Sequence, residues 1–255
     1  MPADWGDGPQ RFPTTSWSLV ALAGKEADQA AREALGQLLA RYLPALRAHL
    51  VCSKRIAPDR ADDVVQDFVA KKILERDLIA RADRDLGKFR TFLLTALDRF
   101  LLNQIRDAGA KKRAAGEGSE ALGERAEWVL SDSGPSDAFD VEWARGVLAE
   151  AVGRMRDHCE SSDRMEVWGI FELRILAPIV QGTEPADYRE LVKRFGLRSP
   201  SQASNVLMTA KRMYERVLRS VVAEYARDER EIDEEIGELR GILARSSRTL
   251  VQPLC

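Results

Sequence analysis

Apolar residues recur every three or four positions along almost the whole chain, while alternating β-branched runs are scarce, and this period restricts the fold to packed helices. Between residues 31 and 50, Leu35, Leu38, Leu39, Tyr42, Leu46 and Leu50 form one stripe, with Pro44 as an expected kink. Further helices are predicted over about 58–75 and 88–107. A stripe of Phe139, Trp143, Val147, Leu148, Val152 and Met155 marks another from Asp137, followed by helices over 168–179, 185–195 and 200–225. The expected class is all-α.

The period fails over residues 116–136, where four glycines, four serines and a proline sit among mostly acidic charges; a flexible linker fits this composition. Two helical lobes are therefore expected: 1–113 with an N-terminal extension, and 137–226 beyond a linker at 114–136. Residues 227–255 form an acidic tail, whose stretch 227–238 carries seven acidic and two basic side chains.

With 39 basic and 41 acidic residues and 45% hydrophobic composition, the chain is neither a disordered polyelectrolyte nor a membrane protein. Its longest apolar stretch, 167–180, is cut by Glu172 and Arg174, and no basic segment leads into an apolar run near the start, so a cytoplasmic location is expected. Three widely spaced cysteines, Cys52, Cys159 and Cys255, support neither a disulfide framework nor a zinc module. His158 and Cys159 lack two further ligands at workable spacing, and Gly116, Gly118 and Gly123 do not follow a strand in phosphate-loop spacing. No nucleophile elbow or metal-ligand cluster is present. The chain is thus expected to be no enzyme, with no cofactor and no metal site.

Three surfaces remain as candidates. On the helix from Pro58, Ala61, Val64, Val65, Phe68 and Val69 share one side and Asp62, Asp63, Gln66 and Asp67 the other, an acidic face suited to a basic partner or simply to solvent. On the helix from Lys88, a wide apolar arc leaves a narrow stripe of Thr91, Thr95, Asp98, Arg99, Leu102 and Arg106, with Asn103 at its edge. Residues 84–113 hold eight basic and three acidic side chains in a chain of net charge −2, so Arg90, Lys111, Lys112 and Arg113 extend a possible phosphate-backbone footprint. In the third, Tyr188, Leu191, Val192 and Phe195 precede a Gly196 turn, and Ser199-Pro200-Ser201-Gln202 reads as a capping box opening a second helix. Its outward face is Ser201, Gln202, Asn205, Met208, Thr209, Arg212 and Arg216. Short polar side chains followed by arginines suit a recognition helix, although most helix hairpins bind nothing.

The order of these pieces resembles the sigma-70 family of bacterial transcription initiation factors, in its small extracytoplasmic-function branch. Asp62-Asp63-Val64-Val65-Gln66-Asp67-Phe68 is similar to the family's acidic-aliphatic-Gln-acidic-aromatic segment, and Gly87-Lys88-Phe89-Arg90-Thr91-Phe92-Leu93-Leu94 resembles its helix that melts and reads the minus-ten element. Phe12-Pro13-Thr14-Thr15 with Trp17-Ser18-Leu19-Val20, the Tyr42 to Pro44 pattern and the acidic Ile232-Asp233-Glu234-Glu235-Ile236 resemble one subgroup of that branch.

The resemblance implies a sigma region 2-like bundle, a region 4-like helix-turn-helix domain, and a factor that directs core RNA polymerase to promoters without catalytic residues. It implies that Asp62, Asp63, Gln66 and Asp67 dock on the β′ clamp. It also implies that Arg90, Thr91, Thr95, Arg99, Leu102, Asn103, Arg106, Lys111, Lys112 and Arg113 contact minus-ten DNA. Ser201, Gln202, Asn205, Met208, Thr209, Arg212 and Arg216 would meet minus-thirty-five DNA, with the β flap bound nearby. Separately from the resemblance, the long linker and the two separate binding surfaces lead to the expectation that an anti-sigma or other inhibitory protein occludes the acidic face and the basic stripe. Two features depart from the family: the stretch 208–213 has two cations where the subgroup carries a strongly basic run, and Asp98 stands where a basic or neutral residue is expected. Two alternatives stay open, a sigma-like helical adaptor acting through protein contacts and a stand-alone helix-turn-helix regulator.

Overall fold

The computed structural model describes residues 16–24, 29–74, 78–83, 85, 87–114, 137–226 and 228–249. Readings made on Phe12 to Thr15, on most of the 114–136 linker, on Arg227 and on Cys255 lie outside the described residues. The protein is all-α. Its helices are α1 (Ser16–Ala23), α2 (Gln29–Ala48), α3 (Pro58–Phe68), α4 (Phe89–Ala114), α5 (Asp137–Ser161), α6 (Met165–Phe171), α7 (Ala177–Gln181), α8 (Tyr188–Phe195), α9 (Pro200–Ala223) and α10 (Glu229–Thr249). No described helix is long and apolar enough to cross a membrane.

The chain divides into two compact units, Met1–Ala144 with Glu238–Cys255, and Arg145–Gly237. The divisions fall inside α5 and α10, not at the composition shifts at 114 and 227 that the sequence suggests. Within the acidic tail, residues 229–249 form a helix.

In the first unit α2 runs through Pro44 and loosens into a π-helical turn, His49–Ser53, where the Lys54 N–H donates to His49 O at 3.0 Å. Pro58 opens α3 at a position whose N–H has no helical partner to lose, and Asp59 lies at the positive end of the helix. α3 buries Ala61, Val64, Val65 and Phe68, the face its periodicity assigns, before a second π-helical turn, Val69–Leu74. Leu38, Tyr42 and Leu46 of α2 and Leu50 of the π-helical turn are buried, as are Phe89, Leu93, Leu97, Phe100 and Leu101 of α4. Tyr42 meets Phe89 edge-on at 5.3 Å, and Phe68 tilts against Phe100 at 5.7 Å.

In the second unit one core joins Met155 and Cys159 of α5, Val167, Trp168 and Phe171 of α6, and Ala210 and Met213 of α9. A neighbouring cluster joins Ile170, Leu191, Ala203 and Leu207. Cys159 is free, and burial pushes its thiol up, which makes it inert packing. Arg174, which interrupts the longest apolar stretch, anchors the loop before α8: its Nη1 donates to Ala186 O at 2.7 Å and its guanidinium lies 4.3 Å from the Tyr188 ring centre.

Candidate nucleic-acid interface

α4 turns one exposed stripe toward solvent. Thr91, Thr95, Arg99 and Asn103 follow each other at four-residue steps and line a groove of about 660 Å³ in the first unit. Opposite them stand Lys72 and Arg81 from the segments after α3, with Lys88 and Asp83 at the approach to α4. Phe68, Phe92 and Phe100 form its apolar wall. Four cations against one carboxylate, above aromatic surface, suit an anionic ligand with flat apolar parts, and single-stranded nucleic acid combines those properties. Among the described residues Arg81 and Arg99 have no hydrogen-bond or ion-pair partner, while Lys72 Nζ lies 5.9 Å from the Phe100 ring centre. The Thr95 hydroxyl donates to Thr91 O at 2.8 Å and leaves its oxygen lone pairs facing out.

Three residues assigned to this stripe by sequence lie elsewhere. Arg90 is only 7% exposed: Nη2 donates to Glu238 Oε1 at 2.6 Å, and its guanidinium is 4.0 Å from the Trp143 ring centre. Leu102 is equally buried, since the apolar arc of α4 is wider than the sequence reading allowed. Asp98 turns inward, where it accepts from His49 Nε2 at 2.8 Å and lies 3.6 Å from Lys54 Nζ. A carboxylate only accepts, so the His49 proton sits on Nε2, and buried Nδ1 has no partner among the described residues. Asp98 is therefore the counter-ion of a buried lysine rather than a flaw in a DNA surface. Arg106 is exposed but does not line the groove. Lys111, Lys112 and Arg113 belong to the end of α4, and their side chains lie outside the described residues.

Lys72, Arg81 and Lys88 were not singled out by sequence. Lys88 directly precedes α4, whereas Lys72 and Arg81 come from segments that only folding brings to it, and a charge count beginning at residue 84 passes over those two. Phe92 was assigned to the apolar arc, yet it is half-buried and contributes to the groove wall.

On α3 the acidic face is real but partly neutralised. Arg47 Nε donates to Asp62 Oδ1 at 2.6 Å and Nη2 to Oδ2 at 3.3 Å, and the hydrogen bonds and charge of Asp62 push the Arg47 guanidinium up. Asp67 meets Lys71 Nζ at 2.9 Å and accepts from Gln104 Nε2 at 3.1 Å. The mutual repulsion expected of three bare carboxylates is thus relieved within the chain. Asp63 and Gln66 are exposed, with no side-chain hydrogen bond or ion pair to the described residues.

The helix-turn-helix candidate forms as its local signals require. Asp187 caps α8 by accepting the Arg189 N–H at 2.7 Å, so that helix starts at Tyr188 rather than at 185. Gly196 adopts φ 63°, the left-handed conformation that lets the chain leave α8 through a Leu197 N–H to Val192 O bond of 3.0 Å. Ser199 Oγ accepts the Gln202 N–H at 3.2 Å, and Gln202 Oε1 reaches back to the Arg198 N–H at 2.7 Å. Gln202 is half-buried and holds the turn. Ser201, Asn205, Met208, Thr209, Arg212 and Arg216 are all exposed on α9.

No known family model, curated protein or solved structure matches this chain. Among the described residues no group of three or more His, Cys, Asp or Glu side chains is placed to hold a metal ion.

Proposed function

We propose that this chain is a sigma-like transcription initiation factor that binds core RNA polymerase and delivers two DNA-reading surfaces to a promoter. The observation that carries the reading is the groove, which Thr95, Arg99 and Asn103 line together with Lys72, Arg81 and the aromatic Phe68, Phe92 and Phe100. Unstacked bases gain about 1–3 kcal/mol each on aromatic surface, enough to offset the few kcal/mol of opening a step, and the cations take the intervening phosphates. The exposed face of α9 supplies the second, duplex-reading surface, and the α3 face around Asp63 and Gln66 supplies the polymerase contact. A net charge of −2 suits a reader whose nonspecific affinity comes from a larger machine. An inhibitory protein partner and a cytoplasmic location belong to the same reading.

The test is transcription with core polymerase on a library of randomised promoters, comparing the wild type with Asp63→Lys and Arg99→Ala. The reading expects enriched start sites from the wild type, loss of polymerase capture with Asp63→Lys, and retained capture without promoter opening with Arg99→Ala. Neither transcription nor polymerase capture by the wild type would refute it. The helical-adaptor reading draws on Met208, 49% exposed at the centre of the outward face of α9, where an apolar side chain suits protein better than phosphate. Captured partners other than polymerase, lost with Met208→Lys, would favour it.

A further inference from the structure

The groove carries a built-in competitor. Lys88, on its rim, pairs through Nζ with Glu238 Oε2 of α10, and the same carboxylate accepts from Arg90 Nη2 through Oε1 at 2.6 Å. The two cations have different roles. Arg90 is buried against Trp143 and cannot reach the groove, so it fixes Glu238 in place. Lys88 is an exposed side chain on a flexible stem that can swing between the carboxylate and an incoming anion. Leu239 and Ile242, both buried in the next turn of α10, seat the carboxylate further. Glu238 is held ionised: burial pushes its carboxyl up, but Lys88 and Arg90 together bring it below the usual carboxylate range. Asp140, also near this cluster, is pushed up mainly by burial.

We infer that Glu238 acts as an internal phosphate mimic that occupies Lys88 at the edge of the groove, so that a nucleic-acid strand enters only by displacing it. The inference rests on the groove being a nucleic-acid site, and it adds an autoinhibitory contact that lowers affinity in the free protein. Arg90 is then a positioning residue for the inhibitor, a role that fits an arginine buried away from the groove yet bonded to Glu238. Any partner that draws α10 away from Lys88 raises affinity without touching the groove itself.

The test uses the full chain and a fluorescein-labelled single-stranded DNA 20-mer of mixed sequence, with anisotropy read over a salt series. Glu238→Gln keeps an acceptor for Arg90 and removes the competing charge. It is expected to bind about three- to tenfold tighter at low salt, with a log–log salt slope steeper by about 0.7, one additional phosphate contact. Lys88→Gln is expected to cancel the gain, so that the double variant binds like Lys88→Gln alone; a purely structural role for Glu238 would not produce this. Should Glu238→Gln fail to fold, Glu238→Asp keeps the charge on Arg90 while withdrawing it one methylene from Lys88, and intermediate affinity is expected. Unchanged binding in the folded Glu238 variants, with Arg99→Ala still weakened, overturns the competitor and leaves the groove standing. Absence of binding by every variant overturns the groove reading and the competitor with it.

Discussion

Gly169→Ala tests the packing that sets up the helix-turn-helix, because local and tertiary effects predict opposite signs. Gly169 is a buried residue of α6, and helix propensity alone favours alanine there by about 1 kcal/mol. A Cβ at this position would lie 2.4 Å from Phe195 Cζ and 2.6 Å from Cε1, where ordinary contact begins at 3.4 Å. The ring must therefore retreat by about 1 Å, and it sits one residue before the Gly196 turn in a cluster with Leu191 and Leu207. Overpacking of this kind costs about 1–3 kcal/mol, so against the propensity gain the net expectation is a loss of up to about 2 kcal/mol.

The same substitution at Gly146 and Gly153, helical positions on α5 where a Cβ meets nothing within 4 Å, should stabilise by about 0.5–1 kcal/mol. Urea and thermal unfolding of the three variants decide the matter, with Gly169→Ala lowering the midpoint by on the order of 5 °C and the other two raising it. Adding Phe195→Leu should recover much of the loss. Gly169→Ala stabilising the protein as much as Gly153→Ala would refute the close approach of α6 and α8.

Two further predictions concern buried polar groups. Asp98→Ala removes the carboxylate facing both His49 and buried Lys54, and should cost about 3–5 kcal/mol in urea unfolding, whereas Lys54→Met with Asp98→Leu should recover most of it; an unchanged midpoint for Asp98→Ala would count against the cluster. Burial pushes the Tyr214 phenol up from 10.0 to about 12, so the folded state holds that proton more tightly than the unfolded chain. The corresponding stability is complete below pH 10 and lost as pH rises toward 12, a fall of about 2–3 kcal/mol that Tyr214→Phe should abolish; parallel stability curves from pH 9 to 12 would disprove it.

Local signals were the legible part of this chain. The all-α class, the buried face of α3, the Gly196 turn and the Ser199 cap all depend on residues within a few positions of each other, where period and stereochemistry act directly. Long-range pairing was not legible. Asp98 falls on the exposed stripe of a helical wheel, and only the fold of α2 beneath it brings His49 and Lys54 to its carboxylate. Arg90 likewise reads as one more cation in a basic segment until Glu238, 148 residues away, and Trp143 enclose it. The groove was half legible, since its α4 stripe follows the helical period while Lys72 and Arg81 reach it from other segments. The acidic character of residues 227–238 was visible, but a net charge says nothing about helix formation or which cation a given carboxylate meets.

The internal pairing of charges sets how either surface can gain affinity. Asp62 and Asp67 already hold Arg47 and Lys71, and Lys88 already holds Glu238, so a partner that engages these residues exchanges one ion pair for another. Exposed pairs contribute about 0–1 kcal/mol, and their exchange is nearly neutral. Net gain must come from groups with no counter-ion among the described residues, such as Asp63 on α3 and Lys72, Arg81 and Arg99 in the groove. A surface with few unpaired charges binds weakly alone and depends on a second contact to raise its effective concentration. Such dependence on a second contact is what the proposed function calls for, in which polymerase carries the chain to DNA.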